Sequence, residues 1–415
     1  MRNVILVASG TAGAQAITMA FSPIITRMYG PEAFGLLGTF IATLGIVTPI
    51  AALAYPIAIV LPKSDDDAKG IAKLSLRIAL VMALTLTAIL LLVSEQIAAL
   101  LGMQAIAGFM LLIPLAMFFS ALQQIMQQWL IRKKQFKVTA RVAVSQSLIL
   151  NSSKVGLGWF WPIGSVLIIL ATLGNALYAA QLWFGAKKWT DKDGRIDHVA
   201  ENGIDLKALA YRHRDFPYYR APQVFINALS QSLPVLLLAS FFGPASAGFY
   251  AIGRTVLGVP SMLLGKSVAD VFYPAIAEAA NKHQNLHKPI FKATLALAGV
   301  GVIPYGFVFL FGPWLFSFVF GNEWLEAGEY ARWLAVWSYF GFMNTPSVAA
   351  LSVLKMQRFF LIYEVFSLTL RAISLYIGFA VLNNDSSTVF LFSIIGAVLN
   401  LSLIFITLLK TKLIL

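Results

Sequence analysis

The sequence predicts an all-α integral membrane protein of about twelve transmembrane helices, arranged as two parallel six-helix bundles. Three observations support this fold class. The composition is too apolar for a water-covered surface, the basic residues recur at alternate connections, and the two halves of the chain share a motif. The three are independent, because they depend on composition, on position and on internal similarity.

Composition gives the first indication. Of the 415 residues, 59% are hydrophobic and only 12% are charged. Soluble proteins carry about 25% charged residues. A spanning helix needs about 20 apolar residues, so this length admits about a dozen. The twelve apolar stretches cover residues 4–26, 34–61, 74–93, 106–130, 138–156, 160–184, 218–241, 247–273, 290–312, 330–353, 359–382 and 389–409. The first is too long for the apolar part of a signal peptide and is interpreted as a spanning helix.

The basic residues follow every second predicted helix. Lysines and arginines crowd the connections after helices 2, 4, 6, 8 and 10 and the end of the chain, whereas the alternate connections are nearly free of them. Such a pattern places the basic connections in the cytoplasm. It predicts cytoplasmic N- and C-termini and an even number of helices. It also accounts for the net charge of +13 without a nucleic-acid partner, because anionic lipids line that leaflet.

The longest connection divides the predicted helices into two sets of six. Residues 187–217 are polar and basic, so we expect a cytoplasmic connecting loop there, an N-terminal bundle over 1–186 and a C-terminal bundle over 218–415. A repeat supports this division. Tyr29-Gly30-Pro31 and Phe242-Gly243-Pro244 both open the pattern aromatic-Gly-Pro-x-x-x-Gly, 213 positions apart (243 minus 30). Parallel repeats of this kind are typical of transporters that bind substrate between their halves.

Polar side chains recur at helical spacing on predicted helices 1, 5 and 7. Residues spaced by three, four or seven positions share one face of a helix. We expect these faces to line a polar cavity, although interhelical hydrogen bonding alone would also explain them. The residues are Thr11, Gln15, Thr18, Ser22, Ser147, Asn151, Gln223, Asn227 and Ser230.

Six ionisable residues fall within the predicted spans. Each costs roughly 2.5–3.5 kcal/mol at the bilayer centre, so each must face protein or water. Four are basic, which favours an anionic ligand: Lys154, Arg254, Lys266 and Arg371. The acidic residues Asp270 and Glu364 are candidates for a coupling proton or sodium ion, and pairing with neighbouring bases is the alternative.

Several chemistries have no support in the sequence. The chain has no cysteine, which excludes thiol nucleophiles and cysteine-based zinc sites. No G-x-x-x-x-G-K-[ST] phosphate-binding loop occurs. His283 and His287 are four residues apart without an evident third ligand, so no metal site is predicted. No cofactor is expected either. No large polar outer loop is predicted that could hold an outward-facing catalytic site, which weighs against a membrane polymerase or ligase, and we expect a protein that is not an enzyme.

Two regions of the chain resemble a known family. The first comprises Met28-Tyr29-Gly30-Pro31-Glu32-Ala33-Phe34-Gly35 with Ala54-Tyr55-Pro56, and the second comprises Asp215-Phe216-Pro217-Tyr218, Phe242-Gly243-Pro244 and Val271-Phe272-Tyr273-Pro274. These segments resemble the polysaccharide-export flippases of the MOP superfamily, the Wzx-type translocases of O-antigen and capsule repeat units. The similarity extends over most of the chain.

The resemblance implies a function. It implies movement of an undecaprenyl-diphosphate-linked oligosaccharide from the cytoplasmic to the periplasmic leaflet of the bacterial inner membrane, by alternating access, for surface polysaccharide biosynthesis. The four basic residues above would bind the diphosphate. Membrane lipids and the polysaccharide polymerase machinery are the other expected partners. A cation-coupled drug or metabolite exporter of the same superfamily is one alternative, and a membrane glycan polymerase or acyltransferase is another.

Overall fold

The computed structural model describes residues 2–100, 104–190, 205–262, 276, 285–354 and 356–413. The described residues are almost all helical and contain no β-strand, which confirms the predicted all-α class. Lys266 and Asp270 lie outside the described residues, as does His283.

Each of the twelve predicted apolar stretches overlaps a helix. The helices before residue 243 are α1 (Arg2–Ala51), α2 (Asp65–Leu100), α3 (Leu112–Arg132), α4 (Phe136–Gly158), α5 (Gly164–Thr190), α6 (Leu206–Arg212) and α7 (Ala221–Phe242). The later helices are α8 (Pro244–Pro260), α9 (His287–Phe320), α10 (Leu325–Met343), α11 (Thr345–Val353), α12 (Gln357–Ile377) and α13 (Asp385–Leu413). Short 3-10 segments, Tyr55–Val60 and Gln104–Phe109, precede α2 and α3.

Seven helical segments of the described chain are long and apolar enough to cross a membrane: Gly10–Ala51, Asp65–Ala99, Gly164–Lys187, Phe216–Phe242, His287–Phe320, Gln357–Leu382 and Asp385–Lys412. The chain is therefore a multi-pass membrane protein. At a rise of 1.5 Å per residue, α1 is about 75 Å long, enough for two crossings. The total of twelve crossings and the cytoplasmic position of the termini stay predictions.

The repeated Gly-Pro motif adopts the same backbone conformation at both positions. Gly30 has φ 67° and ψ 173° and divides α1 into two helical segments. Gly243 has φ 91° and ψ 176° and precedes α8, whose first residue is Pro244. Positive φ values favour glycine, and a proline suits the first turn of a helix because its missing N–H has no partner there. The sequence repeat is thus matched by a repeat in the backbone.

The chain forms two compact units, Met1–Ser240 and Phe241–Leu415, which we call unit 1 and unit 2. The boundary between them falls near the end of α7. The predicted connection 187–217 contains the short helix α6. The predicted bundle limits of 186 and 218 stay a prediction.

In unit 1, α1 packs mainly against α4, and α3 packs against α5. Alanines allow the close approach of these helices: Ala79 and Ala83 of α2 and Ala116 of α3 lie in one buried cluster. At Gly10 of α1, a Cβ atom would lie only 2.4 Å from the Cβ of Ala140 in α4. Small residues at helix contacts are typical of membrane bundles, where packing replaces the hydrophobic effect.

In unit 2, α10 packs against α9, α13 and α8. Gly312 of α9 faces Gly328 of α10 so closely that a Cβ on either would lie within 2.6 Å of the other helix's backbone. Large aromatic side chains fill the space nearby, since Phe249 contacts Trp324 and Tyr330 edge to face. Both of these partners are fully buried.

A set of polar contacts joins the basic connections of unit 1. Arg132, at the end of α3, lies 2.9 Å from the carboxylate of Asp65 and donates to the carbonyl oxygens of Pro62 (2.6 Å) and Ser64 (3.0 Å). Lys133 also pairs with Asp65. Arg212, which ends α6, pairs with Asp67 at 3.1 Å. The predicted cytoplasmic connections of unit 1 therefore meet at one end of it, which we call the basic end.

Candidate functional site

The polar faces predicted for helices 1 and 5 meet in the structure. The Oγ atoms of Thr18 in α1 and Ser147 in α4 are 3.0 Å apart. The Asn151 side-chain amide donates to Thr18 Oγ1 at 3.3 Å, and Ser147 Oγ donates to the carbonyl oxygen of Ala14 at 2.8 Å. These contacts join the two helices, as the interpretation of interhelical hydrogen bonding expects.

Beside these contacts lies a cavity of about 590 Å³, which we call the polar cavity. Its size is within the range of small-molecule sites. It is lined by Thr11, Ala14, Gln15, Thr18, Gln127, Ile131, Phe136, Thr139, Ala140, Ala143, Gln146, Ser147 and Tyr178. The lining includes four of the predicted residues, Thr11, Gln15, Thr18 and Ser147. Ser22 and Asn151 are not part of it.

Four polar lining residues were not predicted: Gln127 of α3, Thr139 and Gln146 of α4, and Tyr178 of α5. They belong to three different helices, and only the packing of those helices brings them together. A sequence signal existed for Gln127, because an amide side chain within an apolar stretch needs a polar neighbour. Its Nε2 lies 3.5 Å from the Tyr178 hydroxyl.

The cavity wall retains unused hydrogen-bonding capacity. Gln146 donates to the carbonyl oxygen of Gly174 at 2.7 Å. Its own Oε1 is buried and has no hydrogen-bond partner within the described chain, and the same holds for Thr139 Oγ1. Buried polar atoms are costly when unpaired. A ligand with hydroxyl groups would satisfy them.

Lys154 lies one turn beyond Asn151 on α4 and is not part of the cavity lining. Its carbonyl oxygen accepts a hydrogen bond from the Tyr29 hydroxyl at 2.8 Å. The side chain is half-buried, and no carboxylate of the described residues lies within ion-pair distance of it. An unpaired ammonium in a membrane helix is a candidate anion-binding group.

In unit 2, three of the predicted charges form one cluster. Arg254 of α8 and Arg371 of α12 both interact electrostatically with the buried hydroxyl of Tyr250, and Arg371 also interacts with Glu364. The Arg371 guanidinium lies 5.9 Å from the centre of the Trp337 ring, over its face. A cation over an indole face is stabilised by the ring's quadrupole.

Glu364 therefore has a basic neighbour, as the pairing interpretation expects. A role for Glu364 in carrying a coupling ion stays a prediction. The described residues contain no group of three or more His, Asp or Glu side chains that would suit a metal ion.

The predicted face of α7 does not join the polar cavity. Gln223 and Asn227 are exposed, and Gln223 accepts a hydrogen bond from Arg220 at 2.8 Å. Ser230 is buried. None of the three lines the polar cavity. A cavity role for this face stays a prediction.

Comparison with known proteins identifies the family. Residues 24–329 match the family described as "Polysaccharide biosynthesis protein". The chain belongs to this family. It is also 21% identical over 340 residues to the succinoglycan biosynthesis transport protein ExoT of Rhizobium meliloti (strain 1021). The match covers 79% of this chain but spans only 63% of that relative's length.

The fold of this family member matches that of solved MOP-type transporters. A multidrug resistance MATE family transporter of the MOP superfamily, in an inward-facing conformation, has a TM-score of 0.71 and 15% identity over 98% of both chains. The inward closed conformation of the lipid II flippase MurJ has a TM-score of 0.73 and 15% identity over 99% of this chain and 90% of that one. The predicted MOP-type fold is confirmed. The similar proteins are named as a transport protein, a transporter and a flippase. The prediction that the chain is not an enzyme agrees with those names.

Proposed function

We propose that this chain is a flippase that turns an undecaprenyl-diphosphate-linked oligosaccharide from the cytoplasmic to the periplasmic leaflet of the bacterial inner membrane. The observation that carries the proposal is the polar cavity, which lies among apolar helices. The family of the chain is described as "Polysaccharide biosynthesis protein". A cavity lined by amide and hydroxyl groups is costly in a membrane unless a polar ligand uses it.

The chemistry of the lining favours sugars over cationic drugs. The polar lining groups are the hydroxyls of Thr, Ser and Tyr and the amides of Gln, without a carboxylate. Hydroxyls and amides both donate and accept, as sugar hydroxyls require. Phe136 and Tyr178 add aromatic surface. A site for a cationic drug would be expected to carry acidic groups.

The basic residues of the spans supply partners for the diphosphate. Lys154 in unit 1 and the Arg254–Arg371 cluster in unit 2 are the described candidates, and Lys266 remains a predicted one. If net negative charge moves outward, the inside-negative potential assists by roughly 2.3 kcal/mol per charge per 100 mV. Proton or sodium antiport through Glu364 or Asp270 is a second proposed drive.

The names of two similar proteins support this substrate class. One is a succinoglycan biosynthesis transport protein, and the other is a lipid II flippase. Because a MATE transporter shares the fold equally well, export of a drug or metabolite is the function that the test must separate from flipping.

The test uses the purified chain in proteoliposomes. A fluorescent lipid-diphosphate oligosaccharide is included in the bilayer, and an impermeant reductant quenches the label exposed outside. Flipping raises the quenchable fraction from about half toward completeness, whereas protein-free vesicles stay at half. The same vesicles are assayed for efflux of a cationic dye. Dye efflux without lipid flipping would overturn the proposal in favour of the exporter.

A further inference from the structure

A second cleft of about 500 Å³ lies at the basic end of unit 1 and shares no residue with the polar cavity. We call it the lysine cleft. It is lined by Lys69, Ala72 and Lys73 of α2, Met126 and Trp129 of α3, and Trp183, Ala186 and Lys187 of α5. The cleft thus combines three lysines with two tryptophans from three helices of unit 1.

Neighbouring carboxylates neutralise little of the positive charge of the cleft lysines. Lys69 lies 3.4 Å from Asp66, and both side chains are partly exposed. Lys73 and Lys187 are exposed, and within the described chain no carboxylate pairs with either. The Lys187 ammonium is 5.9 Å from the centre of the Trp183 ring. The cleft therefore presents an excess of positive charge beside an aromatic wall.

Exposed apolar surface continues from the cleft along the same helices. On α2, Leu76, Leu80 and Leu84 follow Lys73 at spacings of three and four residues and are 39%, 49% and 61% exposed. On α5, Leu173 and Leu177 are exposed as well, at 55% and 37%. Residues at these spacings form one stripe on a helix. In a bilayer such a stripe contacts acyl chains.

The combination matches an anionic phospholipid rather than a soluble anion. Tryptophans lie preferentially at the level of lipid headgroups. Basic pockets between membrane helices on the cytoplasmic side bind anionic headgroups. A free phosphate would use the lysines but not the apolar stripe. We propose that the lysine cleft binds the phosphate headgroup of an anionic diacyl phospholipid, whose chains lie along α2 and α5. This binding is independent of the transported substrate.

The test measures phospholipid binding to the full purified chain in neutral detergent, by native mass spectrometry during titration with phosphatidylglycerol. The variant is Lys69→Gln/Lys73→Gln/Lys187→Gln. The matched control is Lys137→Gln/Lys207→Gln/Lys292→Gln, which removes the same charge from exposed positions outside the cleft. We expect the cleft variant to bind the tightest lipid about tenfold or more weakly. The control should stay within about twofold of wild type.

Two further arms identify the ligand class. Phosphatidylcholine, with no net charge, should bind weakly to wild type and to both variants alike. Inorganic phosphate should not displace phosphatidylglycerol at concentrations where a second anionic phospholipid, phosphatidylserine, does. If the triple variant does not fold, the single reversals Lys73→Glu and Lys187→Glu replace it. Unchanged phosphatidylglycerol binding in the cleft variants, or displacement by inorganic phosphate alone, would overturn the proposal.

Discussion

At the scale of single residues, the basic residues Lys154 and Arg132 differ in whether their charge is paired. Lys154 is half-buried and has no ion-pair partner in the described chain. By contrast, Arg132 has a carboxylate and several carbonyl oxygens around its guanidinium. From the sequence alone, Arg132 is a basic residue just after one apolar stretch and Lys154 is a basic residue within another. Only the structure separates the paired residue Arg132 from Lys154, for which the described chain shows no carboxylate partner.

Replacing Lys154 by Gln should reduce transport without reducing stability. The ammonium has no partner to lose, and removing an uncompensated charge from a membrane helix is favourable. The measurements are the initial flipping rate in proteoliposomes and the thermal midpoint in detergent. The matched control is Lys137→Gln, an exposed lysine of the same helix. An unaltered flipping rate in the Lys154→Gln variant would contradict the assigned role.

Replacing Arg132 by Ala should have the opposite profile and destabilise unit 1. The substitution removes the donor from the carbonyl oxygens of Pro62 and Ser64 and one of the two basic partners of Asp65, since Lys133 still pairs with that carboxylate. Because Asp65 is 35% exposed and keeps Lys133, we expect a loss of about 1–3 kcal/mol from the broken hydrogen bonds. Thermal unfolding in detergent measures the change, with exposed Arg141→Ala as the control. Equal midpoints for the two variants would show that the contacts at the basic end contribute little.

His213 gives the basic end a pH dependence. Burial lowers the pKa of this imidazole, and Arg212 lowers it further, whereas Asp67 acts in the opposite direction. Because the folded-state pKa is depressed, the stabilisation is complete above the unfolded pKa of about 6.5 and is lost as the pH falls through the folded value. Proteolysis of the segment around α6 should therefore accelerate below about pH 6 in wild type but not in His213→Gln. Identical pH profiles for the two proteins would contradict this.

At the scale of elements, the helices were predictable and their partners were not. Apolar length and alternating charge marked all twelve stretches, because these depend on local composition. The short helix α6 lies in a connection with no apolar stretch. Its Leu209 lies in one buried cluster with Tyr55 and Ile71. Gln127 and Tyr178 reach the polar cavity only because α3 packs against α5. Such pairings depend on tertiary contacts that one sequence does not reveal.

The Gly-Pro junction is the element-scale feature that most constrains the backbone. Gly243 has positive φ, and no atom lies within 4 Å of the position of an added Cβ. The cost of Gly243→Ala is therefore backbone strain alone, about 1–3 kcal/mol, because φ 91° with ψ 176° is a conformation essentially restricted to glycine. Gly299→Ala, within α9 and also in open space, should be neutral or stabilising, because alanine favours the helix. The measurement is the thermal midpoint of each variant in detergent. A Gly243→Ala variant as stable as Gly299→Ala would contradict the assigned strain.

At the scale of the whole molecule, family membership and fold are both consistent with transport, and the lining of the polar cavity bears on the substrate. The family is named for polysaccharide biosynthesis, and the fold is shared with both drug transporters and a flippase. Neither chooses a substrate. The polar cavity does contribute to that choice, because its lining holds amides and hydroxyls and lacks a carboxylate. The proposed function therefore depends on whether the polar cavity binds the oligosaccharide.

The most direct measurement is the initial rate of lipid-diphosphate oligosaccharide flipping by the variant Gln127→Leu/Thr139→Val. Both substitutions keep the side-chain size and remove polar groups from the cavity wall. The control is Gln128→Leu, the adjacent amide that does not line the cavity. The account predicts a fall of about tenfold or more for the double variant, since two hydrogen bonds to the sugar are lost, and little change for the control. Equal rates for the two variants, at equal amounts of folded protein, would contradict the central claim that the polar cavity carries the oligosaccharide.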